Sequence, residues 1–190
     1  MANVKTGFSL PYVALYAESS GTVTYSSGQK LARGVSVSFS INAADSVNFY
    51  ADNILAESAG GVFTDGEVTL TVDGLDSAAE KLIFNLPTAG ADGFTPWGDN
   101  DAPFVGIGFI VRTMYLGVEG FQAIVLPKCK FNVPGLEAAT QEDVIAFQTQ
   151  ELTAAIFRDD TAGKVWLKKG TVKTTEALAE ADIKTLFAIS

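Results

Sequence analysis

The sequence contains no histidine among its 190 residues and only one cysteine. Histidine is the side chain that most often transfers protons or binds transition metals near neutral pH, so the commonest forms of acid–base and metal catalysis are removed. Because Cys129 is single, no intrachain disulfide framework or cysteine-based zinc site is possible, and a reducing site of synthesis is favoured. Function is therefore expected to depend mainly on shape and surface.

Long hydrophobic runs are also missing. The longest strongly apolar stretch, Phe104–Val111, is too short to span a bilayer, and Met1–Phe8 lacks the basic and apolar regions of a secretory signal. We therefore expect no membrane partner and no export through a cleaved signal.

Basic residues are scarce, since 13 bases stand against 22 acids and give a net charge of −9. This balance disfavours tight, sequence-independent binding to DNA or anionic lipid. The charge is uneven, because residues 41–103 contain eleven acids and the single base Lys81. The carboxyl end gathers four lysines, which are Lys164, Lys168, Lys169 and Lys173.

What the chain does have is apolar content: 47% of the residues are hydrophobic and 18% are charged. Such a composition is typical of a folded protein with a packed core, and the length favours one domain over residues 1–190, with the ends acting as arms.

Alternating patterns predict half-buried antiparallel strands. Serines at 36, 38 and 40 alternate with apolar residues at 35–41, and similar alternation covers 47–52 and 67–72. A long hairpin is predicted from Phe104–Leu116, a turn at 117–120, and Phe121–Val133, with Pro127 at a bulge or an edge. Further strands are predicted at Val144–Gln148, Leu152–Phe157 and Val165–Lys168, with a turn at 159–163.

Two segments have helical spacing instead. The first, Asp76–Leu86, has a candidate capping box formed by Ser77 and Glu80. The second is Thr175–Phe187, with Leu178, Ala181 and Leu186 on its apolar side. The predicted fold is mainly β (α+β), a β-sandwich or partly open barrel of antiparallel strands with one internal and one C-terminal helix.

The loop at 88–103 is rich in Gly and Asp and contains Phe94 and Trp97. Aromatic residues on such a loop suggest a docking surface. The run 99–101 begins like a calcium loop, but Phe104 and Ile110 occupy positions where that loop needs glycine and glutamate. A solvated turn is the better interpretation.

Other short motifs fail on context. Ser27 and Lys30 have the Ser-x-x-Lys spacing but follow a strand rather than opening a helix. Gly106 and Gly108 are better explained by close backbone packing than by dinucleotide binding, and Cys129 is predicted to be structural. We therefore predict no enzyme activity, no cofactor and no metal.

The order of these elements resembles the major tail proteins of bacteriophages with long, flexible, non-contractile tails. The similarity runs through 4–16, 22–25, the serine-alternating strand ending at Ile41, and the segment 47–52. It continues through 66–70, the hairpin closing at 127–131, and 144–152. No single segment is specific, so the resemblance depends on collinearity.

This resemblance implies a tail tube subunit in the virion tail, synthesised in the host cytoplasm. Subunits would form hexameric rings that stack around the tape measure protein, end at terminator or tip proteins, and allow transient passage of DNA. Candidate contacts between subunits are Phe94, Trp97, Lys164, Lys168, Lys169 and Lys173. Candidate acidic residues of the lumen or of a ring contact are Asp45, Asp52, Glu57, Asp65, Asp99 and Asp101.

Two alternatives stay open. One is a carbohydrate- or ligand-binding β-sandwich of the adhesin type, in which Phe94, Trp97 and Tyr115 stack on sugar rings. The other is a secretion-system tube subunit, which would also form rings.

Overall fold

The computed structural model describes residues 4–135 and 148–189. Antiparallel strands dominate it, with one internal and one C-terminal helix, which confirms the expected mainly β fold class. In chain order the elements are β1 Val4–Ser19, β2 Thr22–Lys30, β3 Gly34–Ala43, β4 Val47–Ala51, β5 Ile54–Ala59, β6 Phe63–Val72, α1 Ser77–Phe84, β7 Val105–Tyr115, β8 Val118–Phe131, β9 Gln150–Phe157, β10 Lys168–Lys169 and α2 Glu176–Leu186.

The main sheet has the strand order β2-β1-β7-β8-β9-β6-β3, and the short β10 also pairs with β8. β2 and β3 are the edge strands, and no described strand pairs with their outer edges, so the sheet is open rather than closed into a barrel. The sheet is nevertheless curled, and this brings β3 close to β1. Gly34 of β3 packs so closely on the Phe8 ring of β1 that a Cβ atom would not fit. β4 and β5 form a separate two-stranded hairpin.

Two apolar clusters hold the fold together. The larger one fills the inside of the curled sheet, with α1 contributing Ala79, Ile83 and Phe84. The smaller one lies between the sheet and α2, where Ala179, Ile183 and Phe187 are fully buried. β7 supplies side chains to both clusters, because successive residues of a strand point to opposite faces.

Glycines in β7 allow α2 to approach. A Cβ atom on Gly106 would lie 2.9 Å from Cε1 of Phe187, the C-cap of α2, and one on Gly108 would lie 2.8 Å from Ile183 Cγ2. Both contacts are closer than real Cβ atoms allow. The prediction that these glycines serve close packing is confirmed.

The long hairpin forms, but its turn differs from the prediction. Leu116 and Gly117 both have positive φ, 48° and 80°, which makes a two-residue turn of the type favoured between twisted strands. The predicted turn at 117–120 is therefore wrong, since β8 already begins at Val118. Pro127 lies at the register shift between the two strands, as expected for a residue that cannot donate a ladder hydrogen bond.

Both predicted helices are present, with corrections at their ends and faces. Asp76 rather than Ser77 caps α1, because its carboxylate accepts a hydrogen bond from the Ala79 amide at 2.7 Å. The face predicted for α2 is partly wrong, since Leu186 packs against the smaller cluster but Leu178 and Ala181 are exposed. One residue of offset along a helix rotates the apolar face by about 100°.

The strands in the structure differ from the predicted strands in extent and in burial. Leu152–Phe157 is confirmed within β9, whereas the strand predicted at Val165–Lys168 is reduced to the two residues of β10. The predicted strand Val144–Gln148 lies outside the described residues, apart from Gln148. β3 and β4 form as expected, but the prediction that 47–52 is half-buried is wrong, because every residue of β4 is exposed.

Candidate assembly surfaces

A polar face extends across the neighbouring strands β3, β6 and β9. Their registers place Ser38 beside Thr69, and Thr69 beside Thr153, with all three side chains pointing away from the core. Ser36 Oγ donates to Thr71 Oγ1 at 2.9 Å on the same face. We name this surface the hydroxyl face; it comprises Ser36, Ser38, Ser40, Thr69, Thr71 and Thr153, together with the carboxylates of Asp65, Glu67 and Glu151.

No helix of the described chain packs against the hydroxyl face as α2 packs against β7 and β8. Its side chains are exposed or half-buried, and it ends at the free edge of β3. A free edge offers unpaired backbone N–H and C=O groups to another strand. The combination of a small, polar face and a free edge suits a sheet that continues into a neighbouring molecule.

The β4–β5 hairpin is apolar and exposed on both faces. Phe49 is 62% exposed and Ile54 is 69% exposed, and Val47, Tyr50 and Leu55 are exposed as well. Its turn is formed by Asp52 and Asn53, both of positive φ. Exposed apolar surface of this kind is uncommon on monomeric soluble proteins and makes the hairpin a candidate interaction site.

A second exposed apolar surface lies at the tip of the β7–β8 hairpin. We name it the β7–β8 tip; it comprises Val4, Met114, Tyr115, Leu116 and Val118. Leu116 is 85% exposed and adopts a left-handed conformation that costs an L-residue about 1–2 kcal/mol. A large apolar side chain at this position lowers the stability of the isolated molecule, so the residue is better explained by a contact.

The topology places both apolar surfaces at one end of the sheet. β3 and β7 run in the same direction, because an even number of antiparallel steps separates them in the strand order. The β4–β5 hairpin follows the end of β3, and the β7–β8 tip follows the end of β7. We call this end the hairpin end.

The loop predicted to be a docking surface lies at the opposite end. The Trp97 ring centroid is 5.2 Å from that of Phe84, which is 6.3 Å from that of Phe131 at the end of β8. Trp97 is 47% exposed and Phe94 is 75% exposed, so their predicted exposure is confirmed. Beside Trp97 is a pocket of about 290 Å³ lined by Phe84, Leu86, Trp97, Gly98, Asp99, Asn100, Ala102 and Val133.

This arrangement overturns one sequence-based hypothesis. Tyr115 ends β7, whereas Trp97 precedes the start of that strand, and ten residues of strand correspond to about 33 Å. Phe94, Trp97 and Tyr115 therefore do not form one platform for stacking on a sugar ring.

The six predicted acidic residues fall into two groups at opposite ends. Asp45, Asp52, Glu57 and Asp65 lie on or beside the hairpin end, and only Asp65 belongs to the hydroxyl face. Asp99 and Asp101 lie in the loop at 88–103, which we name the Trp97 loop, and Asp101 pairs there with Lys130 at 2.6 Å. Glu67 and Glu151 of the hydroxyl face were missed, although the strand alternation around Glu67 was a usable signal.

The four predicted lysines do not lie together, since Lys164 is in the 158–165 loop and the other three follow β8. Lys168 and Lys169 pair in the ladder with Val125 and Ile124. Lys173 binds Asp182 of α2 at 3.1 Å. Among residues 4–135 and 148–189, no ion pair within 4.0 Å involves Lys164, Lys168 or Lys169, so these lysines have charge available for another molecule.

A partly buried ion pair has a structural role. Lys128 Nζ lies 2.6 Å from Asp160 Oδ2, and Tyr16 donates to the same oxygen at 2.8 Å. The hydrogen bond from Lys128, followed by that from Tyr16, lowers the pKa of Asp160, and burial raises the pKa of Tyr16 to about 12. Lys128 also lies over the Phe104 ring, 4.5 Å from its centroid. The group anchors the 158–165 loop to β1 and β8.

The C-terminal helix is tied to β1 by a similar contact. Tyr12 donates to Glu180 Oε1 at 2.5 Å, and Lys184 binds the same carboxylate oxygen at 2.9 Å. These hydrogen bonds, that from Tyr12 first, lower the pKa of Glu180. Every ionisable group in both clusters already has a structural partner.

Comparison with known proteins does not identify a family for this chain. No protein-family model and no curated protein matches this chain. A functional assignment therefore depends on the surfaces of the molecule and on the chemistry of its side chains.

The remaining candidates for chemistry are weak. Cys129 is fully buried, and burial raises its pKa, which disfavours the reactive thiolate. Within the described ranges, no group of three or more Asp, Glu, Cys or His side chains is arranged to hold a metal ion. Neither described helix has the length and apolarity needed to cross a membrane.

Proposed function

We propose that this protein is a tube-forming structural subunit, the major tail tube protein of a bacteriophage with a long non-contractile tail. The observation that carries the proposal is the hydroxyl face, against which no described helix packs. This face ends at an edge of β3 with which no described strand pairs, and it lies between the hairpin end and the Trp97 loop. The collinear resemblance of the sequence to major tail proteins supports the same assignment.

In this proposal the hydroxyl face lines the conduit. Hydroxyl groups on short side chains keep the wall hydrated and free of large protruding side chains, and Asp65, Glu67 and Glu151 give the wall negative charge. Each repulsion between an exposed carboxylate and a DNA phosphate amounts to about 1 kcal/mol at contact and is screened beyond about 8–10 Å. Such a wall prevents adhesion without blocking passage.

The free edges account for ring formation. Among the strands that the structure describes, none pairs with the outer side of β2 or β3, and open edges of this length favour pairing with another chain unless they are protected. Ring closure by strand pairing removes the exposed edges and makes the sheets of neighbouring copies continuous. Six copies are proposed from the resemblance.

The hairpin end and the Trp97 loop account for stacking. They are different surfaces at opposite ends of one molecule, so contact between them is heterologous and propagates along an axis. An interface of this kind predicts filaments whose length increases with protein concentration.

Negative-stain electron microscopy combined with light scattering across a concentration series tests the proposal. We expect rings with sixfold symmetry at intermediate concentration and hollow tubes at high concentration. A chain that stays monomeric throughout the series, without a purification tag, contradicts the proposal. A secretion-system tube subunit would also form rings, and the genes adjacent to that of the chain separate the two functions.

A further inference from the structure

The two ends of the β7–β8 hairpin carry complementary surfaces. At one end the β7–β8 tip presents Leu116, and at the other lies the pocket beside Trp97. The hairpin itself connects them, since Val105 and Tyr115 are the first and last residues of β7.

Basic side chains surround the tip. Lys5 pairs in the ladder with Thr113, and Arg112 immediately precedes Thr113 in β7. Lys173 is bonded through its backbone to Phe121, close to the start of β8. Two carboxylates offset part of this charge, since Glu119 of β8 lies 4.0 Å from Arg112 and Asp182 of α2 lies 3.1 Å from Lys173. Three bases against two acids leave the tip with a net charge of +1, and Lys5 has no ion-pair partner within 4.0 Å among the described residues.

Acidic side chains surround the pocket. Asp92, Asp99 and Asp101 lie in the Trp97 loop, which contains no basic residue of its own. Lys130 of β8 pairs with Asp101 at 2.6 Å, which leaves a net negative charge from the other two carboxylates. Phe84, Leu86 and Val133 supply an apolar lining next to Trp97. Its volume of about 290 Å³ is close to the lower limit of about 300 Å³ for small-molecule pockets and is ample for one aliphatic side chain.

We propose that the β7–β8 tip of one copy inserts Leu116 into the Trp97 pocket of a second copy in the next ring. The contact rests on the proposed stacking function and assigns residues to it. An apolar side chain enters an apolar pocket while the surrounding bases of one copy face the acids of the other, which gives both affinity and orientation.

The other apolar surface fits this pocket less well. The turn of the β4–β5 hairpin contains Asp52, and its second strand contains Glu57, without a basic residue between 47 and 59. Inserting that hairpin would bring like charges together at the acidic loop, which disfavours the pairing.

Cysteine cross-linking tests the contact. Leu116→Cys and Gly98→Cys are prepared as separate proteins, mixed at an assembling concentration and oxidised; Gly98 has no atom within 4 Å of an added Cβ. We expect a covalent dimer from the mixture and a ladder of oligomers from the double variant. Leu178→Cys, an exposed leucine on α2, replaces Leu116→Cys in the control.

The outcomes separate the contact from the function. If the wild-type protein forms tubes but the cysteine variants do not cross-link, the proposed contact is wrong and the proposed tube function is unaffected. A wild-type protein that forms no assembly at any concentration would overturn both. Cross-linking by the Leu178→Cys control with equal yield would also overturn the contact.

The substitution Leu116→Asn gives a second test, in which the stability of the monomer should increase while assembly weakens. Asparagine favours the left-handed turn conformation, so the variant should unfold at a higher temperature than the wild type. It should also raise the concentration needed for assembly by about tenfold or more, because the central apolar contact is lost. Assembly unchanged in this variant contradicts the proposal.

Discussion

Two segments of similar apolar content, Val105–Val111 of β7 and residues 47–55 of the β4–β5 hairpin, have opposite environments. All seven residues of the first are buried, whereas all nine of the second are exposed. Both form antiparallel strands with two-residue turns of positive φ. Strand formation therefore follows the local pattern, while burial depends on what the neighbouring strands provide.

The difference lies in the number of neighbours. β7 has β1 on one side and β8 on the other, with α2 on one face and the main core on the other. Within residues 4–135 and 148–189, the only strand that pairs with β4 is β5. An isolated two-stranded hairpin is marginally stable in water, so the hairpin gains most from contact with another molecule.

The sharpest way to break the comparison is to remove a large side chain from the buried segment. Phe109 is 1% exposed and packs edge-on against Phe8, with ring centroids 5.5 Å apart. Phe109→Ala should lower the free energy of unfolding by about 3–5 kcal/mol through lost burial and a cavity, measured by urea denaturation. Phe109→Leu is the control and should lose far less; equal losses would contradict the packing argument.

The next test concerns the glycines of the same strand. Gly108→Ala places a methyl group against Ile183 and Phe187 of the α2 region. The overpacking should lower the free energy of unfolding by about 1–3 kcal/mol and loosen α2, seen as faster amide exchange in residues 176–186. Gly98→Ala, in open space, should leave both quantities unchanged. A stable Gly108→Ala protein would show that α2 docks with more freedom than the contacts indicate.

The sequence was informative where periodicity and composition act locally. Alternation predicted β3 and β6, and helical spacing over Asp76–Leu86 predicted α1. The close packing at Gly106 and the structural burial of Cys129 were also predicted correctly. In each case the evidence lay within a few residues of the feature.

The assembly surfaces depended on information that no local pattern contains. The hydroxyl face requires the order β3-β6-β9, in which β6 ends at Val72 and its neighbour β9 begins only at Gln150. β5 was missed because Ile54–Ala59 lacks strong alternation, although Asp52 and Asn53 were a usable signal for the turn. The separation of Trp97 from Tyr115 likewise depends on the strand direction of β7.

The smallest expected change in monomer stability belongs to the exposed hairpin and completes the comparison. Phe49 is 62% exposed, so Phe49→Ser should alter the free energy of unfolding of the monomer by no more than about 0.5 kcal/mol. The same substitution should reduce tube formation in light scattering, because the apolar surface available to a second copy is smaller. Leu178→Ser removes an exposed leucine from α2 and should leave assembly intact. A large loss of monomer stability in Phe49→Ser would show that the hairpin packs within its own chain, and unchanged assembly would remove it from the interface.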